Sequence, residues 1–205
     1  MIRRALVSTT NMKGLVDFCT GLHKLCQTEF VATDSAGRLL IEAGLPTQLT
    51  HELTGLPKGF LGGLVKTLHP SVHGGILGPG SEHEHELAEQ GVKPFTMVIV
   101  NFYDFPGAVA GQDSLVAAKA ATDIGGPAML RAAAKNWEHV VPVFNPIDYP
   151  EILDALRREK DISRCLRLRL AIDAFAHTSA YDSAISAYLL GQYHLIDAQD
   201  CCGRM

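Results

Sequence analysis

The chain opens by alternating two kinds of hydrophobic pattern, and this alternation restricts its fold more than any other feature. Arg4-Ala5-Leu6-Val7-Ser8 is a short apolar run, which reads as a buried strand. From Lys13 to Leu25, the residues Leu15, Phe18, Cys19, Leu22 and Leu25 recur at helical spacing and predict an amphipathic helix. Glu29-Phe30-Val31-Ala32-Thr33 returns to strand. A second helix is expected from Gly37 to Ala43, stopped by Gly44 and Pro46, with a short third strand over Leu45 to Leu49. Strand and helix in strict alternation favour an α/β domain built on a mainly parallel sheet with right-handed crossovers.

The rest of the chain is less regular. Residues 54–81 contain eight glycines and three prolines and show little periodicity, a composition that in a compact domain usually marks a functional loop. A charged helix capped by Ser81 is expected through Gln90. Phe95 to Asn101 reads as the most buried strand, and Asp113 to Thr122 as helix. Asp123-Ile124-Gly125-Gly126 is a tight turn feeding a helix from Pro127 to Asn136, with proline suited to the first helical turn. His139 to Phe144 is a last strand. Asp148 to Glu159 and Asp161 to Leu190 are helices, and 191–205 reads as a loose tail.

Composition narrows the functional classes. At 205 residues with 47% hydrophobic and 20% charged side chains, the chain suits one globular domain with a terminal extension. A formal net charge of −4 offers no global attraction for nucleic acid, so a bound phosphate must be held by local donors. No apolar run reaches membrane-spanning length, and the strand beginning near Arg4 leaves no room for a signal peptide. The five cysteines, Cys19, Cys26, Cys165, Cys201 and Cys202, have no framework spacing. Cys19 and Cys26 read as packed helix thiols, and adjacent Cys201-Cys202 cannot make a tetrahedral metal site. A reducing cytoplasmic setting is expected.

Ligands in doubly wound sheets bind beyond the carboxyl ends of the strands, where Ser8, Thr33 and Asn101 fall. Three polar blocks stand out: Lys66-Thr67-Leu68-His69-Pro70-Ser71-Val72-His73-Gly74-Gly75-Ile76-Leu77, Asn101-Phe102-Tyr103, and Asp123-Ile124-Gly125-Gly126-Pro127 running on to Arg131 and Lys135-Asn136. They supply two amines, a phenol, a carboxylate and an amide, a set suited to bond-making on a small polar molecule.

In this order the blocks resemble the IMP cyclohydrolase domain of the bifunctional purine-synthesis enzyme whose other half is the AICAR formyltransferase. That family shows Arg-Val-Lys-Thr-Leu-His-Pro-x-x-His-Gly-Gly-Ile-Leu, then Asn-Leu-Tyr-Pro-Phe, then Asp-Ile-Gly-Gly-Pro-x-Met-Leu-Arg-x-Ala-Ala-Lys-Asn. The segment Ala174-Phe175-Ala176-His177-Thr178-Ser179-Ala180-Tyr181-Asp182 is similar to the helix that hands over to the formyltransferase half. The resemblance covers about residues 4–190 and implies a three-layer α/β/α, methylglyoxal-synthase-like fold. It divides the chain into a cyclohydrolase domain over 1–160, a hand-over helix over 161–190 and a tail over 191–205. It also implies covalent fusion to a formyltransferase domain in a longer protein.

The implied reaction closes a purine ring. The carboxamide nitrogen of formyl-AICAR ribotide attacks its own formyl carbon, water leaves and IMP results, with no metal or other cofactor. Positioning of the two reacting groups supplies much of the catalysis, leaving an oxyanion to stabilise and protons to move. The resemblance assigns catalysis to Lys66, Lys135, Asp123 and Tyr103. Lys66 suits the oxyanion and leaving water, and Asp123 would accept a proton or orient the carboxamide. Tyr103 would donate. Each has a plainer alternative: an exposed lysine, a helix-end lysine, a helix cap and a half-buried ring. Asn101 would bind the amide or simply form a turn. Ser8, Thr10, Lys13, Thr33, Ser35, Thr67, Ile124, Gly125 and Gly126 complete the expected substrate contacts. His69 and His73 are four apart, but Pro70 between them argues against a shared helical face, so they read as structural or substrate-neighbouring. His83 and His85 belong to a solvated helix face.

The phosphate loops depart from the family. Ser-Val-Ser-Asp-Lys-Thr-Gly is replaced by Ser8-Thr9-Thr10-Asn11-Met12-Lys13-Gly14, and Ser-Thr-Gly-Gly-Thr by Ala32-Thr33-Asp34-Ser35-Ala36. Asp34 therefore brings negative charge to an expected anion site, where like charges about 4 Å apart repel by about 1 kcal/mol even in bulk water. Leu64 and Gly62 stand where the family has arginine and aspartate, and Asp104 replaces a proline. These departures keep open a non-catalytic nucleotide- or effector-binding domain of the same fold, and more remotely a methylglyoxal synthase. An apolar stripe on the long helix (Ile162, Cys165, Leu166, Ile172, Phe175, Ala176) suggests a homodimer or packing against its own domain.

Overall fold

Short β-rich apolar runs become five parallel strands in the computed structural model, which describes residues 1–111 and 114–202, with 197–202 as backbone alone. They are β1 (Arg4–Ser8), β2 (Glu29–Ala32), β3 (Thr47–Leu49), β4 (Met97–Val100) and β5 (Val141–Val143). The sheet order is β3-β2-β1-β4-β5, so the chain winds outward in one direction, returns to the centre and winds outward in the other. Helices α1 (Leu15–Cys26), α2 (Asp34–Glu42) and α3 (Thr50–Thr54) follow the first three strands. Next come α4 (Pro70–Leu77) and α5 (Glu84–Glu89) before β4, and α6 (Phe105–Val109), α7 (Leu115–Ala121) and α8 (Gly125–Lys135) after it. Finally α9 (Tyr149–Glu159) and α10 (Arg164–Cys202) follow β5.

The strands are buried on both faces, so alternate residues enter two cores. Ala5, Val7, Met97 and Ile99 meet Phe18, Leu22, Ile152 and Leu156 on the α1–α9 side. Leu6, Val98 and Val100 meet Ile76, Leu130 and Ala133 on the α4–α8 side. On the first side Phe18 stacks flat on Tyr149, with ring centroids 4.0 Å apart. Helix α10 packs along β5 and α8. It joins both cores, through Leu166 and Leu170 to one and through Ala171, Ala174 and Tyr181 to the other. The three-layer α/β/α expectation holds.

Several local expectations change. Helix α2 begins at Asp34 rather than Gly37, so its first turn abuts the end of β2. The glycine-rich stretch is not all loop: Pro70 occupies the first turn of α4, and His69 Nδ1 accepts the Ser71 N–H at 3.1 Å as its cap. Pro70 thus starts a helix instead of breaking one. Ser81 does not cap the charged helix, whose first residue is Glu84; its hydroxyl donates to the Gly78 carbonyl instead. Helix α6 was not expected. Helix α7 is capped by Ser114, whose hydroxyl accepts the Ala117 N–H; Asp113 lies outside the described residues. Helix α10 runs past Leu190 to Cys202, where a loose tail was expected. The side chains of Cys201 and Cys202 lie outside the described set. Cys19 and Cys26 are buried in the core, and burial pushes the Cys19 thiol up to about 12. Among the described residues no helix is long and apolar enough to cross a membrane.

His177, on α10, is clamped between Phe102 and Phe144, at 4.8 and 4.3 Å between ring centroids. Burial holds its pKa, and that of His73, below the ordinary histidine value. In the unfolded chain both return to about 6.5. Below that pH the unfolded state binds protons that the folded state refuses, so stability present at neutral pH is lost on acidification. Thermal unfolding at pH 7.5 and 5.5 should show a drop for the native chain and a smaller one for His177→Phe, which keeps the stack without the titration. An equal drop in both would count against this origin.

Candidate active site

The carboxyl ends of β1, β2 and β4 are brought level by the sheet register. Val7 pairs with Ala32 and Ser8 with Val100, so the residues that follow emerge side by side. The direction in which the sheet is wound reverses between β1 and β4, and the flanking connections splay apart there, leaving a crevice. A cleft of about 530 Å³ opens at this point. Ser8, Thr10, Thr33, Ser35 and Asn101 line its sheet side. Lys66 and Thr67 come from the loop before α4, Tyr103 from the segment after β4, and Asp123, Ile124, Gly125 and Gly126 from the start of α8. Residues more than a hundred positions apart in sequence thus share one cleft.

The two phosphate-type loops are built differently. After β1, the Asn101 side chain binds the backbone of the loop. Its Oδ1 accepts the Thr10 N–H (2.7 Å), the Thr10 hydroxyl (3.0 Å) and the Asn11 N–H (2.9 Å), while its Nδ2 donates to the Asn11 carbonyl. Both ends of the amide are engaged within the chain, so Asn101 clamps the loop while still lining the cleft. After β2, Thr33 is extended and its hydroxyl caps nothing in α2. The first N–H groups of α2 lack intrahelical partners, and Thr33 and Ser35 beside them face the cleft. Such a helix start favours an anion.

Asp34 is turned aside. It is absent from the cleft wall, and its Oδ1 lies 3.4 Å from His51 Nδ1 of α3. The Asp34 carboxylate faces an imidazole without a hydrogen bond between these two buried atoms, and both side chains are about two-thirds covered.

On the opposite wall, Thr67 is buried, while Lys66 and Tyr103 remain exposed. The loop carrying Lys66 and Thr67 turns through left-handed conformations at Gly59, Leu61, Gly62 and Gly63. A side chain on Gly125 would come within 2.6 Å of Thr67 Oγ1, so glycine is required for these two segments to touch. Asp123 Oδ1 accepts the Gly126 N–H at 2.8 Å, which fixes the carboxylate at the mouth of α8. Lys13 and Lys135 do not line the cleft. Lys13 is exposed beside its loop, and Lys135 ends α8, about 15 Å along the helix from Gly125 at 1.5 Å per residue. Sequence reasoning missed Met12, Gly63, Leu64 and Thr122, which also line the cleft. No polar motif singles out the apolar ones, which are placed only by the fold.

A doubly wound sheet whose switch-point cleft combines a helix start, hydroxyls, an amine, a phenol and a carboxylate defines an α/β domain with a polar cleft at its switch point. Residues 14–128 match the MGS-like domain, and residues 133–201 match the AICARFT/IMPCHase bienzyme. The bifunctional purine biosynthesis protein PurH of Desulfitobacterium hafniense is 46% identical over 191 residues, 92% of this chain, and PurH of Magnetococcus marinus is 44% identical over 192. The chain spans 36% of the length of each. The crystal structure of ForH superposes with a TM-score of 0.76 at 35% identity, covering 92% of this chain and 98% of that one. The chain belongs to the MGS-like domains and, among them, to the cyclohydrolase portion of the AICARFT/IMPCHase bienzymes.

The Asp34–His51 pair generates a prediction. His51→Ala leaves the Asp34 carboxylate at the start of α2 with no facing imidazole, and IMP binding measured by calorimetry should weaken about three- to tenfold. Adding Asp34→Ala should restore it. Unchanged binding in His51→Ala would show that Asp34 does not reach the anion electrostatically.

Proposed function

We propose that this cleft carries out IMP cyclohydrolase chemistry, closing formyl-AICAR ribotide to IMP with loss of water. The observation that carries the reading is the convergence of Lys66, Tyr103 and Asp123 on one cleft whose far side is the hydroxyl-rich start of α2. The ribotide phosphate lies against Thr10, Thr33, Ser35 and the first amides of α2. The base then reaches toward Lys66 and Asp123. Attack of the carboxamide nitrogen on the formyl carbon places negative charge on the formyl oxygen, which the Lys66 ammonium stabilises. Asp123 accepts the proton released from the attacking nitrogen and returns it to the formyl oxygen; Tyr103 donates the second proton, the C–O bond breaks to release water, and the formylamino nitrogen gives up its hydrogen to form the ring C=N bond and restore the phenol. The elements lost are one water, so no redox partner enters. Lys135, outside this cleft, is given no step.

An assay following IMP formation tests the reading. Lys66→Ala should lower kcat by about a hundredfold or more while leaving the fold intact. Native-like rates in that variant would remove Lys66 from the mechanism. A native chain that is stabilised by IMP but never turns over would establish the binding-domain alternative.

The names of the bifunctional relatives support covalent fusion to a formyltransferase domain in a longer protein. The unpaired thiols Cys19, Cys26 and Cys165 suit a cytoplasmic setting. A homodimer is also proposed. Of the expected stripe, Ile162, which precedes α10, and Leu166 serve the chain's own core, but Ile172 and Phe175 stay exposed beside Leu168. Light scattering should give about twice the 22.1 kDa chain mass, and Ile172→Glu should halve it. A monomeric native chain would exclude the dimer.

A further inference from the structure

We propose that Tyr181, far along α10, is a positioning residue that holds the Asp123 turn in its reactive geometry; this rests on the cyclohydrolase reading above. Its hydroxyl accepts the backbone N–H of Asp123 at 2.8 Å and donates to the carbonyl of Ala121 at 3.2 Å. One oxygen thereby ties the last carbonyl of α7 to the first amide of the turn that carries the carboxylate. Ala121 is the final residue of α7, whose last carbonyls lack partners within the helix. The Tyr181 hydroxyl supplies a partner from α10 instead.

The hydroxyl can act as a fixed post because its ring cannot move. Tyr181 is 7% exposed and meets Phe102 edge-on at 4.8 Å and Phe105 at 6.4 Å. Phe102 lies between Asn101 and Tyr103, so the ring that locks Tyr181 also belongs to the segment bearing the loop clamp and the phenol. His177, one turn earlier on α10, stacks on the same Phe102. Asp123 is thus held at both ends: its backbone by Tyr181, its carboxylate by the Gly126 N–H at 2.8 Å. If the first anchor is released, the second alone cannot fix where the carboxylate points. Small displacements of a proton acceptor are costly to the chemical step and nearly neutral to binding.

Tyr181→Phe tests this, because it deletes the hydroxyl and keeps the ring. It should lower kcat about 10- to 100-fold and change KM less than about threefold. Hydrogen exchange over 121–126 should accelerate. Tyr188→Phe is the control: on the same helix, its hydroxyl accepts the Ser114 N–H at 3.1 Å, away from the Asp123 turn. It should match Tyr181→Phe in lost thermal stability and keep native kcat. Native kcat in Tyr181→Phe, or an equal kcat loss in Tyr188→Phe, would overturn the proposal. Exchange separates this idea from the cyclohydrolase reading. If the native chain makes no IMP, faster exchange confined to 121–126 in Tyr181→Phe still upholds the anchoring, and unchanged exchange refutes it.

Discussion

Everything at the site depends on β1 occupying the centre of the sheet with parallel neighbours on both sides. Thr33 N–H donates to the Val7 carbonyl, and Asn101 N–H donates to the Ser8 carbonyl, so the exits of β2 and β4 are bonded directly to the exit of β1. The connections then leave in opposite senses, and the space between them cannot be filled by either. That vacancy is a consequence of right-handed crossovers on a twisted sheet, independent of any side chain. Side chains decide only what the vacancy can hold.

What it can hold is set by local fields within an acidic protein. A net charge of −4 gives no long-range help to a phosphate, so attraction must come from within a few ångströms. The start of α2 provides it through unpaired amides and the Thr33 and Ser35 hydroxyls. Asp34 sits in the same turn, where an acidic residue also favours the helix dipole. Directing its carboxylate at His51 keeps that benefit for the helix and removes the carboxylate from the cleft wall. A departure from the family pattern that looked prohibitive in one dimension is therefore accommodated by a residue seventeen positions away.

The strand–helix alternation of the first half and the strand ends at the cleft were legible from pattern, while the three layers and most of the cleft wall came from the family resemblance. Periodicity reports burial, and strand ends report where ligands bind. Three things were hidden for physical reasons. The clamp made by Asn101 was hidden because a sequence cannot show that both ends of its amide are engaged by Thr10 and Asn11. Pro70 looked like a breaker because its role depends on whether it sits inside a helix or at its first turn, and His69 as cap decides that. Tyr181 looked like part of a hand-over segment because its partner backbone lies 58 residues away. In each case the deciding contact is long-range or made by backbone, which carries no residue signature.

The walls of the cleft differ in rigidity, and the difference follows the chemistry. The phosphate side is fixed by strand ends, an amide clamp and a helix start. The Asp123 turn is fixed through backbone contacts with buried rings behind it. Lys66, by contrast, rides on a loop that passes through left-handed conformations at Leu61 and three glycines and exposes Leu61 and Leu64 to solvent. Left-handed backbone at a leucine is unfavourable by about 1–2 kcal/mol, so such a loop gains when a new contact reorders it. A ligand seated against the rigid walls offers that contact. Lys66 itself stays exposed at the rim of the cleft, so its position depends on this loop more than on the sheet. The hydroxyls and the carboxylate of the cleft thus sit on elements fixed by the sheet and by buried rings, and its amine sits on the segment with the most strained backbone.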